Sequence, residues 1–223
     1  MGELRVLARI PALFRRWEAL GEAPGAREPV LVVPGYGTSD AWTVVLRRHL
    51  ERLGWRVTGW GLGRNTGDVG ALLPALEARV REFAAFAGPV RVVGWSLGGI
   101  FAREVARRTP ESIAQVITLG TPLWGGSKHT AFASRLRRSG ADLDAIARRA
   151  EARNFAPISV PVDVFYSEDD RVVAWRASLD PAVPDAHHHR LHTTHMGLVA
   201  DPEALEAVAA ALWRAAVRPP SRT

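Results

Sequence analysis

A serine framed by glycines stands at Gly94-Trp95-Ser96-Leu97-Gly98, inside the segment VRVVGWSLGG of residues 90–99. A serine hydroxyl is a poor nucleophile until a base takes its proton. The segment therefore carries chemistry only if a turn exposes Ser96 and a base reaches it. Small residues two before and two after the serine let a tight strand-to-helix turn close without a clash. The bare pattern is short enough to arise by chance. Its surroundings strengthen it: the β-forming run of residues 90–93 leads in, and the helical pattern LGGIFAREVARR leads out. That is the strand-turn-helix setting such a serine requires.

The candidate base is His195, in HTTHMGLVADPEAL, between the last strand candidate and the last helix. A loop in that place emerges at the carboxyl edge of a parallel sheet, the same edge as Ser96. His49 lies in an arginine-rich helical stretch and reads as a surface residue. His187, His188, His189 and His192 fall in a weak strand candidate. Successive strand residues point to opposite faces, so the three consecutive histidines do not converge on one metal ion, and all four read as solvated polar positions. An imidazole base needs a carboxylate to orient it and to stabilise its charged form. FYSEDDRVV (165–173) offers Glu168, Asp169 and Asp170 at a strand end, with Asp170 the first choice and Asp169 the second. A developing oxyanion needs amide donors. The backbone N–H of Leu97, directly after the serine, is one candidate. The N–H of Tyr36 in the loop Pro34-Gly35-Tyr36-Gly37 is the other. Arg64 and Asn65 in GWGLGRNTG (59–67) face the same edge and are candidates for substrate contact, Asn65 equally for bracing its glycine-rich loop. Trp95 and Trp124 complete the substrate-contact set.

These residues must be carried by a framework. Strand candidates at 30–35, 55–60, 90–95, 114–120 and 162–167 are mostly continuous apolar runs, with a weaker one at 187–192. Strands buried on both faces read this way, which indicates a parallel sheet covered by helices. Helical patterns at about 40–53, 68–87, 98–109 and 202–217 alternate with them. The expectation is a doubly wound α/β domain over residues 30–217, with a mainly parallel sheet of about six strands. Residues 123–157 interrupt the alternation with helical composition, and an insertion at this edge is a candidate lid. Residues 1–29 read as an amphipathic helix and a linker, and 218–223 as a tail.

Composition narrows the classes. Of 223 residues, 47% are apolar and 23% charged, which excludes wholesale disorder. Cysteine is absent, so there is no disulfide framework, thiol nucleophile or cysteine-ligated metal. No run approaches the roughly 18 apolar residues of a membrane span, and the first residues lack the apolar core of a secretory signal. A cytoplasmic protein is expected, with peripheral membrane contact through the amino-terminal helix left open. The net charge of +6 rests on scattered arginines without a recognition motif, so nucleic acid is not the expected partner.

Over residues 30–217 the sequence resembles the α/β-hydrolases, specifically small bacterial lipases and esterases. The order Ser96, Asp170, His195 follows that family's nucleophile, acid, base order. Asp170-Arg171-Val172-Val173 resembles its acid motif, which favours Asp170 over Asp169. His195-Met196-Gly197-Leu198 resembles its histidine motif, and LGTPLWGG (119–126) its turn into the lid. Pro34-Gly35 replaces the usual His-Gly, and the family's first two strands are missing, so the fold is a minimal one. The resemblance implies a serine hydrolase of carboxylic esters without metal or organic cofactor, acting on small-molecule or lipid-like acyl esters. Thioester hydrolysis or acyl transfer on the same triad, and a non-catalytic binding protein of the same fold, are the alternatives.

Overall fold

Alternate residues of the central strands enter different cores, and this places helices on both faces of the sheet. The computed structural model describes residues 28–124, 148 and 156–217. The amino-terminal helix and the tail lie outside the described residues, as does the lid insertion apart from its two ends and residue 148. The strands are β1 (Pro29–Val33), β2 (Arg56–Gly59), β3 (Val90–Trp95), β4 (Ile113–Leu119), β5 (Val162–Ser167) and β6 (His187–Leu191). The helices are α1 (Val44–Arg52), α2 (Val69–Ala87), α3 (Leu97–Arg108) and α4 (Pro202–Val217). Val30, Val32, Val93, Ile117, Leu119 and Phe165 pack against Leu46 and Leu50 of α1 and Leu205 and Leu212 of α4. Leu31, Val33, Val92, Val116 and Val164 pack against Leu76 and Val80 of α2 and Phe101 and Val105 of α3. Each such fully buried side chain contributes roughly 1.5–3 kcal/mol relative to exposure.

All six strands run parallel in the order β2-β1-β3-β4-β5-β6. After β2 the winding reverses, and β3 returns to the other side of β1. In an open α/β sheet the crevice at such a reversal, outside the carboxyl ends of the strands, is where ligands bind. Here it lies between the loops that leave β1 and β3. The expected doubly wound sheet is thus the observed one. The weak candidate at 187–192 is a true strand, and its polar sequence follows from its edge position, where only Leu191 is buried.

Three expectations need correction. The first helix is not continuous: a 3₁₀ turn over Asp40–Thr43 precedes α1. His49 is not on the surface. It stands three residues after Leu46 and beside Leu50 on the buried stripe of α1, and burial lowers its pKa to about 4. Nor are all the edge histidines merely solvated. The Asp180 N–H donates to His188 Nε2 at 3.0 Å, while His189 Nε2 lies 2.7 Å from Asp163 Oδ1 and stacks on Phe165.

That last contact belongs to a polar chain near the amino ends of the strands. Arg91 Nε donates to Glu28 Oε2 at 2.7 Å and its Nη1 to Gln115 Oε1 at 2.9 Å, and Gln115 Nε2 donates to Asp163 Oδ2 at 2.7 Å. Burial opposes ionisation of Asp163, but the hydrogen bonds from His189 and Gln115 prevail and hold its carboxyl below the usual range. A second buried pair, Arg103 with Asp180, ties α3 to the segment before β6. Among the described residues no helix is long and apolar enough to cross a membrane.

Candidate active site

The turn after β3 shows why its glycines are needed. A Cβ on Gly94 would collide with the Gly98 carbonyl and Gly99 Cα, and one on Gly98 would strike the Val33 carbonyl oxygen of β1. Helix α3 can therefore start hard against the ends of β1 and β3. The residue at the bend is Ser96, with φ 54° and ψ −126°, and no other described residue except glycine has a positive φ. Such a conformation costs an L-residue of order 1–3 kcal/mol and persists only where its surroundings enforce it. Ser96 N–H donates to Leu119 O at 2.8 Å, which pins the bend to the end of β4. Leu97 is the first residue of α3, and the N–H groups of a first helical turn have no acceptor within the helix.

The loop leaving β1 lies directly on the serine. A Cβ on Gly35 would stand 3.1 Å from Ser96 Cβ, so the peptide joining residues 35 and 36 is held beside it. The loop is tightened by Thr38, whose N–H and Oγ1 both donate to Gly35 O, at 3.2 and 2.7 Å.

At the other side, the loop after β5 separates the three acidic candidates by partner. Glu168 pairs with Arg190 at 3.2 Å, and Asp169 lies 3.7 Å from His192, both on the exposed rim. Asp170 is buried, and its Oδ2 accepts from His195 Nδ1 at 2.6 Å. Its Oδ1 accepts from Val172 N and Val173 N at 2.7 and 2.9 Å. A carboxylate with both oxygens so engaged has one fixed orientation. With Nδ1 committed to Asp170, the free ring nitrogen of His195 is Nε2.

Residues the sequence reading overlooked bring this pair together. Ser167 Oγ accepts from Asp169 N and from Thr193 N, both at 3.1 Å, and so joins the loop carrying Asp170 to the loop carrying His195. Gly120, with φ 55°, passes between them and Leu198, leaving no room for a side chain. Its place directly after a strand, in LGTP, was a usable signal for a glycine under constraint. Nothing local marked Ser167.

The substrate-contact candidates separate into different kinds. Trp95 is buried, its ring centroid 5.3 Å from that of His195, and its Nε1 donates to His195 O at 3.1 Å. It belongs to the hydrophobic core and packs its ring against the histidine. Asn65 is also buried, with its side chain spent on the protein's own loops: Nδ2 donates to Pro34 O at 2.8 Å, and Oδ1 accepts from Gly67 N at 3.0 Å. Both side chains are thus buried and bonded to the protein's own backbone. Arg64 is exposed, and its Nη2 lies over Gly37 of the β1 loop. Trp124 lines a cavity of about 470 Å³ with Arg176, Leu179, Asp180, Pro181 and His188. Among the described residues no cluster of histidine, aspartate and glutamate is arranged to hold a metal ion.

No family model matches the chain. A curated relative, the pimeloyl-[acyl-carrier protein] methyl ester esterase of Sodalis glossinidius, is 33% identical over 108 residues, 47% of this chain and 40% of that protein's length. Among solved structures, a lipase-esterase related protein from Clostridium acetobutylicum superposes with a TM-score of 0.61 at 16% identity, over 86% of this chain and 96% of its own. A thioesterase domain from the curacin biosynthetic pathway does so with a TM-score of 0.59 at 15% identity, over 86% and 93%. The chain has the α/β-hydrolase fold. Ser96 stands in the turn after β3, Asp170 in the loop after β5 and His195 in the loop after β6.

Proposed function

We propose that the protein is a serine hydrolase of carboxylic esters, with Ser96 as nucleophile, His195 as general base and acid, and Asp170 as the group that orients the histidine. The observation that carries this reading is the 2.6 Å His195–Asp170 pair, buried at the strand edge where Ser96 holds its strained bend. The Gly120 backbone links the two halves: it follows Leu119, the acceptor of Ser96 N–H, and lies against Asp170 and His195.

The chemistry follows from these positions. His195 Nε2 removes the Ser96 proton as Oγ attacks the ester carbonyl. Asp170 stabilises the imidazolium so formed and keeps the ring in the productive tautomer. The N–H groups of Tyr36 and Leu97 receive the negative charge of the tetrahedral intermediate, a contribution of about 3–4 kcal/mol per donor in comparable sites. His195 then protonates the departing alcohol, and water repeats the cycle on the acyl-enzyme. Support for an ester substrate comes from the partial match to a methyl ester esterase and from the lipase and esterase names among the fold neighbours.

Ser96→Ala tests the reading. Turnover of p-nitrophenyl esters and labelling by a fluorophosphonate should both disappear, while thermal unfolding stays within a few degrees of the parent. An alanine variant that keeps full turnover overturns the assignment. Parallel assays with acyl thioesters and with alcohol acceptors separate ester hydrolysis from thioester hydrolysis and acyl transfer.

A further inference from the structure

Asn65 lies far from Ser96 in sequence, has no place in the reaction just described, and is completely buried at the rim of the site. Each of its four polar groups is engaged. Two bonds grip the β1 loop on either side of Tyr36: Asn65 Nδ2 donates to Pro34 O at 2.8 Å, and Asn65 O accepts from Gly37 N at 2.7 Å. A third runs from Asn65 N to Thr38 O at 2.8 Å. The fourth, from Gly67 N to Asn65 Oδ1 at 3.0 Å, closes an Asx turn that fixes the side chain itself. The loop leaving β2 is thereby stitched to the loop leaving β1 over the span that contains Tyr36.

We propose that Asn65 is a positioning residue for the oxyanion hole: its carboxamide and peptide groups hold residues 34–38 so that Tyr36 N–H meets the charge that develops on the substrate oxygen. The inference rests on the serine hydrolase reading and deepens it. The physical reason is preorganisation. A backbone donor in a glycine-bearing loop contributes fully only if it needs no reorientation when the oxyanion forms. Gly35 and Gly37 leave that loop intrinsically mobile, and an external brace removes the freedom. Only a primary amide does both jobs, since Nδ2 must donate to the Pro34 carbonyl while Oδ1 accepts from Gly67. An aspartate has the same shape but would set a carboxylate against the Pro34 carbonyl oxygen.

The experiment compares Asn65→Asp and Asn65→Ser with the parent and with Ser96→Ala. Serine keeps a hydroxyl that can close the turn to Gly67 but cannot reach Pro34. Steady-state ester hydrolysis should show kcat lowered at least ~10-fold in both variants, toward the ~10²–10³-fold loss of a missing oxyanion donor, with KM within about threefold. Binding of an alkyl trifluoromethyl ketone, which forms an oxyanion on Ser96, should weaken by the same factor as kcat/KM. Binding of the matching alcohol product should not change, a split that mere loosening of the fold would not produce. A folded variant with kcat within twofold of the parent overturns the inference, provided Ser96→Ala is inactive. An active Ser96→Ala overturns the underlying reading instead. Failure of both variants to fold assigns Asn65 to stability alone and also overturns the inference.

Discussion

Replacing Gly120 by alanine inserts one methyl group into the contact between Asp170 and His195. The Cβ would stand 2.7 Å from Leu198 Cδ1, 3.0 Å from Asp170 Oδ2 and 3.1 Å from His195 Nδ1. Ordinary carbon contacts begin near 3.5 Å, so all three neighbours must retreat by several tenths of an ångström. Two of them are the partners of the 2.6 Å hydrogen bond. The backbone adds its own penalty, because φ at this position is 55°, where an L-residue loses about 1–2 kcal/mol. Overpacking against Leu198 adds roughly 1–3 kcal/mol. The expected destabilisation is therefore about 2–5 kcal/mol, or on the order of 5–20 °C in Tm for a chain of this size. Displacing the imidazole also costs rate. Misplacing a catalytic group by about 1 Å costs ~10²-fold, and losing the orienting carboxylate altogether costs ~10⁴-fold. A fall of about 10²-fold in kcat with little change in KM is expected. The assay is steady-state ester hydrolysis well below the variant's Tm, read beside a thermal melt. Gly88→Ala is the control, since Gly88 has φ 91° but open space around its Cα. It should lose stability through the backbone alone and keep full activity. If folded Gly120→Ala hydrolyses esters at the parent rate, the Asp170–His195 geometry is not what activates Ser96.

Asp163→Ala should lower stability by about 3 kcal/mol, because it strips partners from Gln115, His189 and Arg214 in the buried chain near the amino ends of the strands. Its kcat and KM should stay at parent values, and urea melts paired with ester assays check both. His49 makes a signed prediction with pH. Its folded pKa is depressed to about 4 from 6.5, so between these values the unfolded chain binds a proton that the native protein does not. Stability is then fully present above about pH 6.5 and declines as pH falls, by up to about 3 kcal/mol at pH 4. His49→Leu should flatten that part of the acid limb in denaturant melts at pH 7 and pH 4.5, and an unaltered slope would exclude His49 as its source.

The comparison of sequence and structure divides by the range of the signal. Ser96 was legible because the glycine spacing and the change from strand to helix pattern are local. The sheet was legible because continuous apolar runs alternating with helical patterns admit few arrangements. Asp170 was separable from Asp169 by the residues that follow it, and the structure shows the physical basis: Val172 and Val173 supply the amides that hold its second oxygen. Trp95 lies in the core with its ring against His195, and of the two readings open for Asn65 the structure displays the brace, because neighbourhood in sequence does not say which side of the rim a side chain faces. His49 was misjudged because its arginine neighbours masked the stripe it shares with Leu46 and Leu50.

The chain alone settled what its elements are and which hydroxyl, carboxylate and imidazole stand at their ends, since those follow from local pattern and from strand direction in a parallel sheet. What only the assembled structure decided is the set of contacts across it: Ser167 joining two loops, Gly120 clearing room for the acid–base pair, Asn65 clasping the loop of Tyr36, and the polar chain from Glu28 to His189. Each depends on groups that meet only after several strands have taken their places. A hydrogen bond between residues distant in sequence acts at about 3 Å, and no local propensity reaches that far.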